Sequence, residues 1–310
     1  MKKVFIDGYA GTTGLKIYER LSSRKDIHLL TLTEETRKDI NARRDVLNSS
    51  DIAFLCLPDD AARESVSLIE NNHTAVIDTS TAHRVNPDWA YGLPELKGQR
   101  EKIAASKRIA NPGCHATGFI VLAAPLVQAG IIGTDEVLSC FSLTGYSGGG
   151  KKMIAQYESD GRDKLLDAPR QYGITQNHKH LPEMAKLSGL KNLPVFCPVV
   201  ADYFAGMEVT ITLHGVSVKT LAECYRDYFR DGGVVHFTEA DTFSEGGFIS
   251  AGAFAERDDL EVCVYGNDER ALLVSRFDNL GKGASGAAIQ NMNILLGIDE
   301  TTGLNVYRGV

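Results

Sequence analysis

The N-terminal stretch predicts a strand, a glycine-rich turn and a helix in direct succession. Residues 3–6 are apolar after Lys3, residues 7–14 carry three glycines, and residues 15–21 are apolar at helical spacing. Glycines so placed allow a tight turn, and the N–H groups that begin the helix can hold a pyrophosphate. The candidate cofactor-binding residues are Gly8, Gly11, Thr12, Thr13 and Gly14. Because the spacing is GxxGxxG and the commoner fingerprint is GxGxxG, turn glycines without a ligand remain an alternative.

Strand and helix signals continue to alternate beyond this turn. Strands are predicted at 27–32, 51–57 and 74–77, with a helix at 61–70. This alternation predicts a parallel sheet with helices on both faces. After the second strand, Glu34 lies about where an acid would bind the cofactor ribose. The neighbouring residues that could hold a 2′-phosphate instead are Thr31, Thr33, Arg37 and Lys38. These residues by themselves leave the choice between NAD and NADP open.

A single cysteine stands where a turn meets an apolar helical pattern. Asn111-Pro112-Gly113 is turn material, and residues 116–129 predict a buried helix. Cys114 then lies at or just before a helix N-terminus, where backbone N–H groups and the helix dipole favour a thiolate. Cys114 is therefore a candidate nucleophile. The alternative is that it is a small buried apolar residue, as many free cysteines are.

Two polar loops carry candidates for anion binding. Residues 78–84 follow an apolar strand, and Arg84 is suited to grip a carboxylate or a phosphate. Residues 144–152 form a glycine loop that ends in two lysines, a pattern typical of a phosphate cradle, although no Walker sequence is present. The candidate ligands in this second loop are Ser147, Gly148, Lys151 and Lys152. Solvated surface loops are the alternative for both stretches.

Two histidines form another candidate group. His178 and His180 bracket Lys179, so an extended segment would point both imidazoles to one side. Either could serve as general acid and base for the cysteine, because an unperturbed imidazole titrates near neutrality. A metal site is not expected, since no third ligand stands at suitable spacing. Surface histidines without a catalytic role remain the alternative.

Composition excludes several classes of protein. The chain has 310 residues, of which 43% are hydrophobic, and a net charge of −7, which argues against a nucleic-acid surface and favours small-molecule partners. Its six cysteines include no CxxC pair, so neither a zinc site nor a disulfide framework is predicted. The apolar run after Lys3 ends at Asp7, too short for the apolar region of a signal peptide, and no apolar run reaches membrane length. A reduced cytoplasmic protein is the simplest interpretation.

The second half of the chain has a different pattern. Strands are predicted at 137–143, 194–200, 207–213, 234–237, 249–254 and 261–265, with a clear helix at 221–230. These signals predict an α+β domain with a mainly antiparallel sheet. The small and apolar residues 287–296 predict a helix that returns to the first domain. We therefore expect a dinucleotide-binding domain over 1–113 and 281–310, with a catalytic domain over 114–280.

The motifs together resemble those of the N-acetyl-gamma-glutamyl-phosphate reductases, in particular their shorter form, and more distantly the aspartate-semialdehyde dehydrogenases. The resemblance runs nearly end to end, and NPGC at 111–114 followed by HxHxPE at 178–183 is its most specific pairing. It implies an α/β protein with a Rossmann-type domain and an α+β catalytic and dimerisation domain, as in glyceraldehyde-3-phosphate dehydrogenase. It also implies a homo-dimer or homo-tetramer.

The resemblance implies an activity and a role for each motif. The activity is NADPH-dependent reduction of N-acetyl-L-glutamyl 5-phosphate to the 5-semialdehyde in arginine biosynthesis, through a cysteine thioester. The nucleophile falls on Cys114 and the acid/base on His178, with His180 as the other possibility. Asn279 and Gly281 join the expected NADP(H) site. Aspartyl or aminoadipyl phosphate as substrate, and a non-catalytic dinucleotide-binding module, remain the alternatives.

Overall fold

The computed structural model describes residues 1–231, 233–240 and 244–307, which fall into two units. Unit 1 comprises Met1–Pro112 and Ala284–Leu304, and unit 2 comprises Gly113–Gly283 and the C-terminal residues from Asn305. The C-terminal boundary differs from the one expected from sequence. The Asn305 amide donates to Asp258 (2.8 Å), and the Arg257 guanidinium lies over the Tyr307 ring, so these last residues pack within unit 2.

Unit 1 contains a parallel six-stranded sheet. Its strands are β1 (Lys2–Asp7), β2 (Ile27–Leu30), β3 (Ile52–Leu55), β4 (Ala75–Asp78), β5 (Ala90–Tyr91) and β6 (Arg108–Ala110). Its first helices are α1 (Thr12–Ser22), α2 (Ile40–Ser49), α3 (Asp59–Ser67) and α4 (Gln99–Ala105). The strand order is β2-β1-β3-β4-β6-β5, and every pairing is parallel. The order in which strands are added therefore reverses between β1 and β3, and sheets of this kind bind ligands at the carboxyl edge of the sheet at that point.

The inner strands of the unit 1 sheet are buried on both faces. All residues of β3 and β4 are buried, which is the pattern expected when helices cover both sides of a parallel sheet. Asp39 caps α2 by accepting from the Asn41 and Ala42 amides, which fixes the start of that helix. The predicted βα alternation is confirmed.

Unit 2 is built on a seven-stranded sheet. Its helices are α5 (Cys114–Gln128), α6 (Gly150–Glu158), α7 (Leu181–Ser188) and α8 (Val218–Tyr228). Its strands are β7 (Ser139–Gly145), β8 (Arg170–Gln171), β9 (Val195–Ala201), β10 (Met207–His214), β11 (Val235–Phe237), β12 (Leu260–Gly266) and β13 (Arg270–Phe277). In the order β11-β12-β13-β10-β7-β9-β8, the β11/β12 and β7/β9 pairs are parallel and the others antiparallel. The expected mainly antiparallel sheet is confirmed.

Helix α5 lies directly on this sheet. A Cβ added at Gly118 would come within 2.4 Å of a Val209 methyl on β10 and 2.8 Å of the Ser275 hydroxyl on β13. The glycine therefore permits a close helix-to-sheet approach, and the residues from His115 to Leu126 are buried. This packing fixes the position of the helix start at Cys114. No helix in the described part of the chain is long and apolar enough to cross a bilayer.

The chain re-enters unit 1 through helix α9 (Gly286–Leu296). A π-helical turn, Gly281–Ser285, precedes it. Helix α9 contributes Ala288, Ile289 and Met292 to the apolar core of unit 1. Its Asn291 amide donates to the Gly92 carbonyl (2.9 Å) and the Asn111 side chain (3.2 Å), so α9 supports the turn that precedes the cysteine.

One prediction about the second sheet is wrong, and one of its strands was not predicted. Residues 249–254 contain no strand, and residues 251–254 lie in turns. Their apolar Phe254 is buried beneath the Arg257 guanidinium, which lies 4.1 Å from the ring centroid. Strand β13 was not expected, yet it pairs with both β12 and β10 at the centre of the sheet.

Candidate active site

The glycine turn of unit 1 is constrained by its own backbone. Gly8 has φ +86°, and a Cβ there would lie 2.4 Å from the Cys56 carbonyl oxygen. A Cβ at Gly14 would lie 2.5 Å from the Gly8 carbonyl oxygen. Helix α1 starts at Thr12 after Gly11, and no side chain within the described ranges caps it. The first N–H groups of α1 therefore suit an anionic ligand.

A cavity of about 300 Å³ adjoins this turn. Its lining residues are Phe5, Ile6, Asp7, Gly8, Tyr9, Ala10, Leu32, Arg37, Lys38, Arg43, Leu57 and Ala61. Arg43 is buried and donates to Asp7 (3.1 Å), Glu64 and Ser65, so its charge is neutralised within the wall. Arg37 instead is exposed and pairs with Glu34 at 2.7 Å. Two cationic side chains, Arg37 and Lys38, thus border a cavity beside the turn, and the set fits the adenosine part of a dinucleotide.

The predicted cofactor and substrate residues outside this cavity have defined partners. The Thr33 hydroxyl hydrogen-bonds with Thr36 (3.0 Å). The Asn279 amide donates to the Ser147 hydroxyl (2.9 Å) and accepts from the Gly206 amide. A Cβ at Gly281 would lie 2.1 Å from the Arg257 carbonyl oxygen, so tight packing requires that glycine. Cofactor binding by Thr33, Asn279 and Gly281 stays a prediction.

Arg84 is buried behind the turn that precedes the cysteine. Its Nε donates to the Asn111 carbonyl (2.9 Å) and its Nη2 to the Thr79 carbonyl (3.1 Å). The guanidinium thus braces the NPG turn against the end of β4. Its contact with a substrate carboxylate stays a prediction.

The glycine-lysine loop is a helix start. Ser147 and Gly148 lie in a 3₁₀ helix, Tyr146–Gly149, and Lys151 and Lys152 are exposed in the first turn of α6. Basic side chains and N–H groups at a helix N-terminus suit a phosphate. Phosphate binding by this segment stays a prediction.

Cys114 is the first residue of α5, as predicted. The cysteine is half-buried. A Cβ added at Gly283 would lie 2.9 Å from the Cβ of Cys114. The preceding Gly113 amide donates to the Glu183 carboxylate (3.2 Å), which is buried at the start of α7. The cysteine is therefore held from both sides, by the glycine before α9 and by the carboxylate of α7. Gly283 and Glu183 were not among the predicted site residues.

His178 and His180 lie in a turn, and the expected extended segment is not present. The turn nevertheless brings their rings together, with centroids 4.7 Å apart. The His180 amide donates to the His178 Nδ1 (3.2 Å), and the His180 Nε2 lies 3.9 Å from the Glu183 carboxylate. His180 is buried and His178 is half-buried. Across the described ranges, no three His, Cys, Asp or Glu side chains form a metal-binding group.

A third histidine, which sequence reasoning missed, joins this cluster. The His115 ring lies 5.9 Å from that of His178 and 5.6 Å from that of His180, measured between centroids. Its two nitrogens bond to the Ser142 and Tyr172 hydroxyls, each at 2.6 Å. Burial lowers the pKa of His115 to about 3, and the nearby charge of His178 adds to the effect. The only sequence signal was a histidine directly after Cys114, inside an otherwise apolar helix.

Comparisons with known proteins identify the family of this chain. Two family models, described as semialdehyde dehydrogenase, NAD binding domain, and semialdehyde dehydrogenase, dimerisation domain, match residues 3–106 and 114–279. N-acetyl-gamma-glutamyl-phosphate reductase 2 of Nostoc sp. is 44% identical over 97% of this chain and 99% of its own length. This chain belongs to the N-acetyl-gamma-glutamyl-phosphate reductase family. The reductase of Chelativorans sp. is 46% identical over 95% of this chain and 98% of its own.

The fold of this reductase family member is also similar to that of solved aspartate semialdehyde dehydrogenases. Aspartate semialdehyde dehydrogenase II from Vibrio cholerae superposes with a TM-score of 0.71 at 16% identity, covering 96% of this chain and 99% of that one. The enzyme from Candida albicans, solved with NADP, gives a TM-score of 0.68 at 16% identity over 96% and 99% of the two chains. The two-domain semialdehyde dehydrogenase fold is thereby confirmed. The chain is an oxidoreductase with an NAD-binding domain of this family.

Proposed function

We propose that the chain catalyses NADPH-dependent reduction of N-acetyl-L-glutamyl 5-phosphate to N-acetyl-L-glutamate 5-semialdehyde, with release of phosphate. The observation that carries this proposal is a half-buried cysteine at the first residue of α5, beside a histidine cluster, in a chain 44% identical to a reductase of that name. The reaction belongs to arginine biosynthesis.

Cys114 is the nucleophile of this reaction. Its thiolate attacks the acyl carbonyl, a C–S bond forms, and the C–O bond to phosphate breaks. The N–H groups in the first turn of α5 stabilise the oxyanion that develops at that carbonyl. Lys151 and Lys152, exposed at the start of α6, bind the phosphate that leaves, together with Ser147 and Gly148.

His178 is the acid/base of the pair. It is half-buried, whereas His180 is buried next to the Glu183 carboxylate and positions the turn. When the thiohemiacetal collapses, its oxyanion becomes the aldehyde carbonyl, the C–S bond breaks, and His178 protonates the departing thiolate to the free thiol. Arg84 supports the Asn111 turn, and we propose that it also binds the substrate carboxylate.

The residues beside the glycine turn would hold NADP(H). The N–H groups of residues 11–14 suit the pyrophosphate, and Arg37 and Lys38 suit a 2′-phosphate. Asn279 and Gly281 are further candidate ligands, and NADPH, when bound, would supply the hydride for reduction of the thioester. Arg37→Glu should reverse the preference of the enzyme for NADP over NAD, which steady-state kinetics with both cofactors would measure.

The enzyme works in the cytoplasm as a homo-oligomer. One face of the unit 2 sheet exposes Phe141, Val195 and Leu272, each at least 40% accessible and on the same side by register. An apolar sheet face of this kind suits burial against a second copy. The six free cysteines suit a reducing compartment. Sedimentation of the wild type and of Phe141→Glu tests the interface, since the variant should sediment as a smaller species.

The decisive experiment runs the reaction backwards with N-acetylglutamate semialdehyde, phosphate and NADP⁺. The wild type should form NADPH only when phosphate is present, and Cys114→Ala should be inactive. If the wild type were active with aspartate semialdehyde but not with N-acetylglutamate semialdehyde, the proposed substrate would be wrong and the proposed mechanism would stand. Equal rates in the two proteins would remove Cys114 from the reaction.

A further inference from the structure

A buried chain of hydrogen bonds runs from the core of unit 2 to the residue after the nucleophile. Ser142 on β7 is fully buried, and its hydroxyl bonds to the His115 Nδ1 at 2.6 Å. The His115 Nε2 bonds to the Tyr172 hydroxyl, also at 2.6 Å. The proposed mechanism uses none of these three side chains.

The hydrogen bonds assign the tautomer of His115. Burial keeps this imidazole neutral at physiological pH, so one ring nitrogen carries a proton and the other accepts. Among the described residues, the His115 Nδ1 is the sole hydrogen-bond partner of the Ser142 hydroxyl. If that nitrogen carried the proton, the buried Ser142 O–H would have no acceptor, a costly arrangement. The proton therefore resides on Nε2, and Ser142 donates to Nδ1.

This tautomer determines the orientation of the tyrosine hydroxyl. The His115 Nε2–H donates to the Tyr172 oxygen, so the Tyr172 proton must point away from His115. The tyrosine backbone is fixed by the bond from its amide to the Pro198 carbonyl (3.0 Å), and its ring lies 6.1 Å from that of His178. Burial and the charge of Cys114 both raise the pKa of Tyr172, so the hydroxyl stays protonated.

We infer that Tyr172 donates its hydroxyl proton in a hydrogen bond to an oxygen of the acyl group on Cys114, and that His115 is the positioning residue that aims it. The inference rests on the proposed function, because the acceptor is the oxygen that becomes negative during reduction. The donor is neutral, which suits a site that must stabilise a transient oxyanion without transferring the proton.

Kinetics of four variants test the two roles. Tyr172→Phe should lower kcat about 100-fold with little change in KM, the cost of losing one oxyanion donor. His115→Gln places an amide where Nε2 was and can still donate to Tyr172, so it should retain most of the activity. His115→Asn reaches only to the position of Nδ1, so kcat should fall as in Tyr172→Phe. The double variant His115→Asn/Tyr172→Phe should lose no more than either alone.

The outcomes separate this inference from failure of the proposed function. The variants are assayed with whichever of the N-acetylglutamate, aspartate and aminoadipate semialdehydes the wild type accepts, so a wrong substrate leaves the comparison intact. The alkylation rate of Cys114 should be the same in Tyr172→Phe and wild type, since the hydroxyl acts on the substrate oxygen. An unchanged kcat in Tyr172→Phe, or equal kcat values for His115→Gln and His115→Asn, would overturn the inference.

A readout without substrate tests the tautomer directly. The ¹⁵N spectrum of imidazole-labelled protein should contain the signals of a neutral histidine, protonated at Nε2, that vanish in His115→Gln. Ser142→Ala removes the donor to Nδ1 and should give a mixture of the two tautomers. If the signals that vanish in His115→Gln belonged to an Nδ1–H form, they would contradict the hydrogen-bond assignment on which the orientation of Tyr172 depends.

Discussion

Protonation of His115 should make the stability of this protein depend on pH. Burial lowers the pKa of this imidazole from 6.5 to about 3 in the folded chain. In the unfolded chain the ring is exposed and titrates near its ordinary pKa. Between these two pKa values the unfolded state binds a proton that the native state does not, so the free energy of unfolding falls as the pH falls.

The size of the effect follows from the width of this window. Each pH unit within it costs about 1.4 kcal/mol, so lowering the pH from 6.5 to 5 should remove about 2 kcal/mol through this one group. His115→Gln has no titrating group at this position and keeps a donor toward Tyr172. It should therefore lose about 2 kcal/mol less than the wild type over the same range.

Urea unfolding at several pH values, followed by circular dichroism, measures this difference. The carboxylates titrate in both proteins, so the informative quantity is the wild-type loss minus the loss in His115→Gln. His214→Gln, at an exposed position on β10, controls for removal of a histidine as such. Parallel pH profiles for wild type and His115→Gln would refute the reasoning, because they would mean that His115 binds the proton equally well in both states.

Two further substitutions test the packing around each site. Gly283→Ala places a Cβ 2.9 Å from that of Cys114, so kcat should fall at least about 10-fold, whereas Gly133→Ala, where a Cβ has open space, should match the wild type. A fully active Gly283→Ala would show that this contact does not position the thiol. Arg43→Met leaves the buried Asp7 carboxylate without its cation and should cost about 3 kcal/mol of unfolding free energy in a urea titration. If the free energy of unfolding fell by less than about 1 kcal/mol, the Arg43–Asp7 pair would contribute no more than a typical surface ion pair.

The first domain could be predicted because its signals are local. A glycine turn between a short strand and an amphipathic helix needs no information from distant residues, and the buried strands of a parallel sheet are apolar throughout. The position of Cys114 at a helix start was predicted for the same reason, since the turn and the apolar helix adjoin it.

The second sheet was less predictable because its pattern depends on tertiary contacts. Residues 249–254 have the apolar spacing of a strand. The Phe254 ring, however, is covered by Arg257, which follows the turn, and by Arg276 of strand β13. Strand β13 has charged residues at 270 and 276 among its apolar ones, and its Arg276 pairs with Glu261 on the neighbouring β12 (2.8 Å). The polar Asn267-Asp268 pair between β12 and β13 was the available hairpin signal.

The partners of His115 lie beyond any sequence pattern. Ser142 and Tyr172 are 27 and 57 residues away along the chain, and only the fold brings both hydroxyls to one imidazole. A histidine in an apolar helix gives no indication of whether it is charged, neutral or hydrogen-bonded. Its protonation state follows from the buried environment, which the sequence does not specify.

The fold and the substrate are determined by different parts of this protein. Chains with 16% identity share its fold and carry the name of another semialdehyde dehydrogenase, so the two sheets alone do not select the acyl group. Selection must come from side chains near the nucleophile, because a site that hydrogen-bonds a substrate oxygen discriminates strongly against substrates that leave its donors unpaired. The oxygen of every acyl group would meet the Tyr172 hydroxyl in the same way. Residues that contact the remainder of the acyl chain must therefore distinguish one acyl phosphate from another, because the phosphate itself is common to all of them.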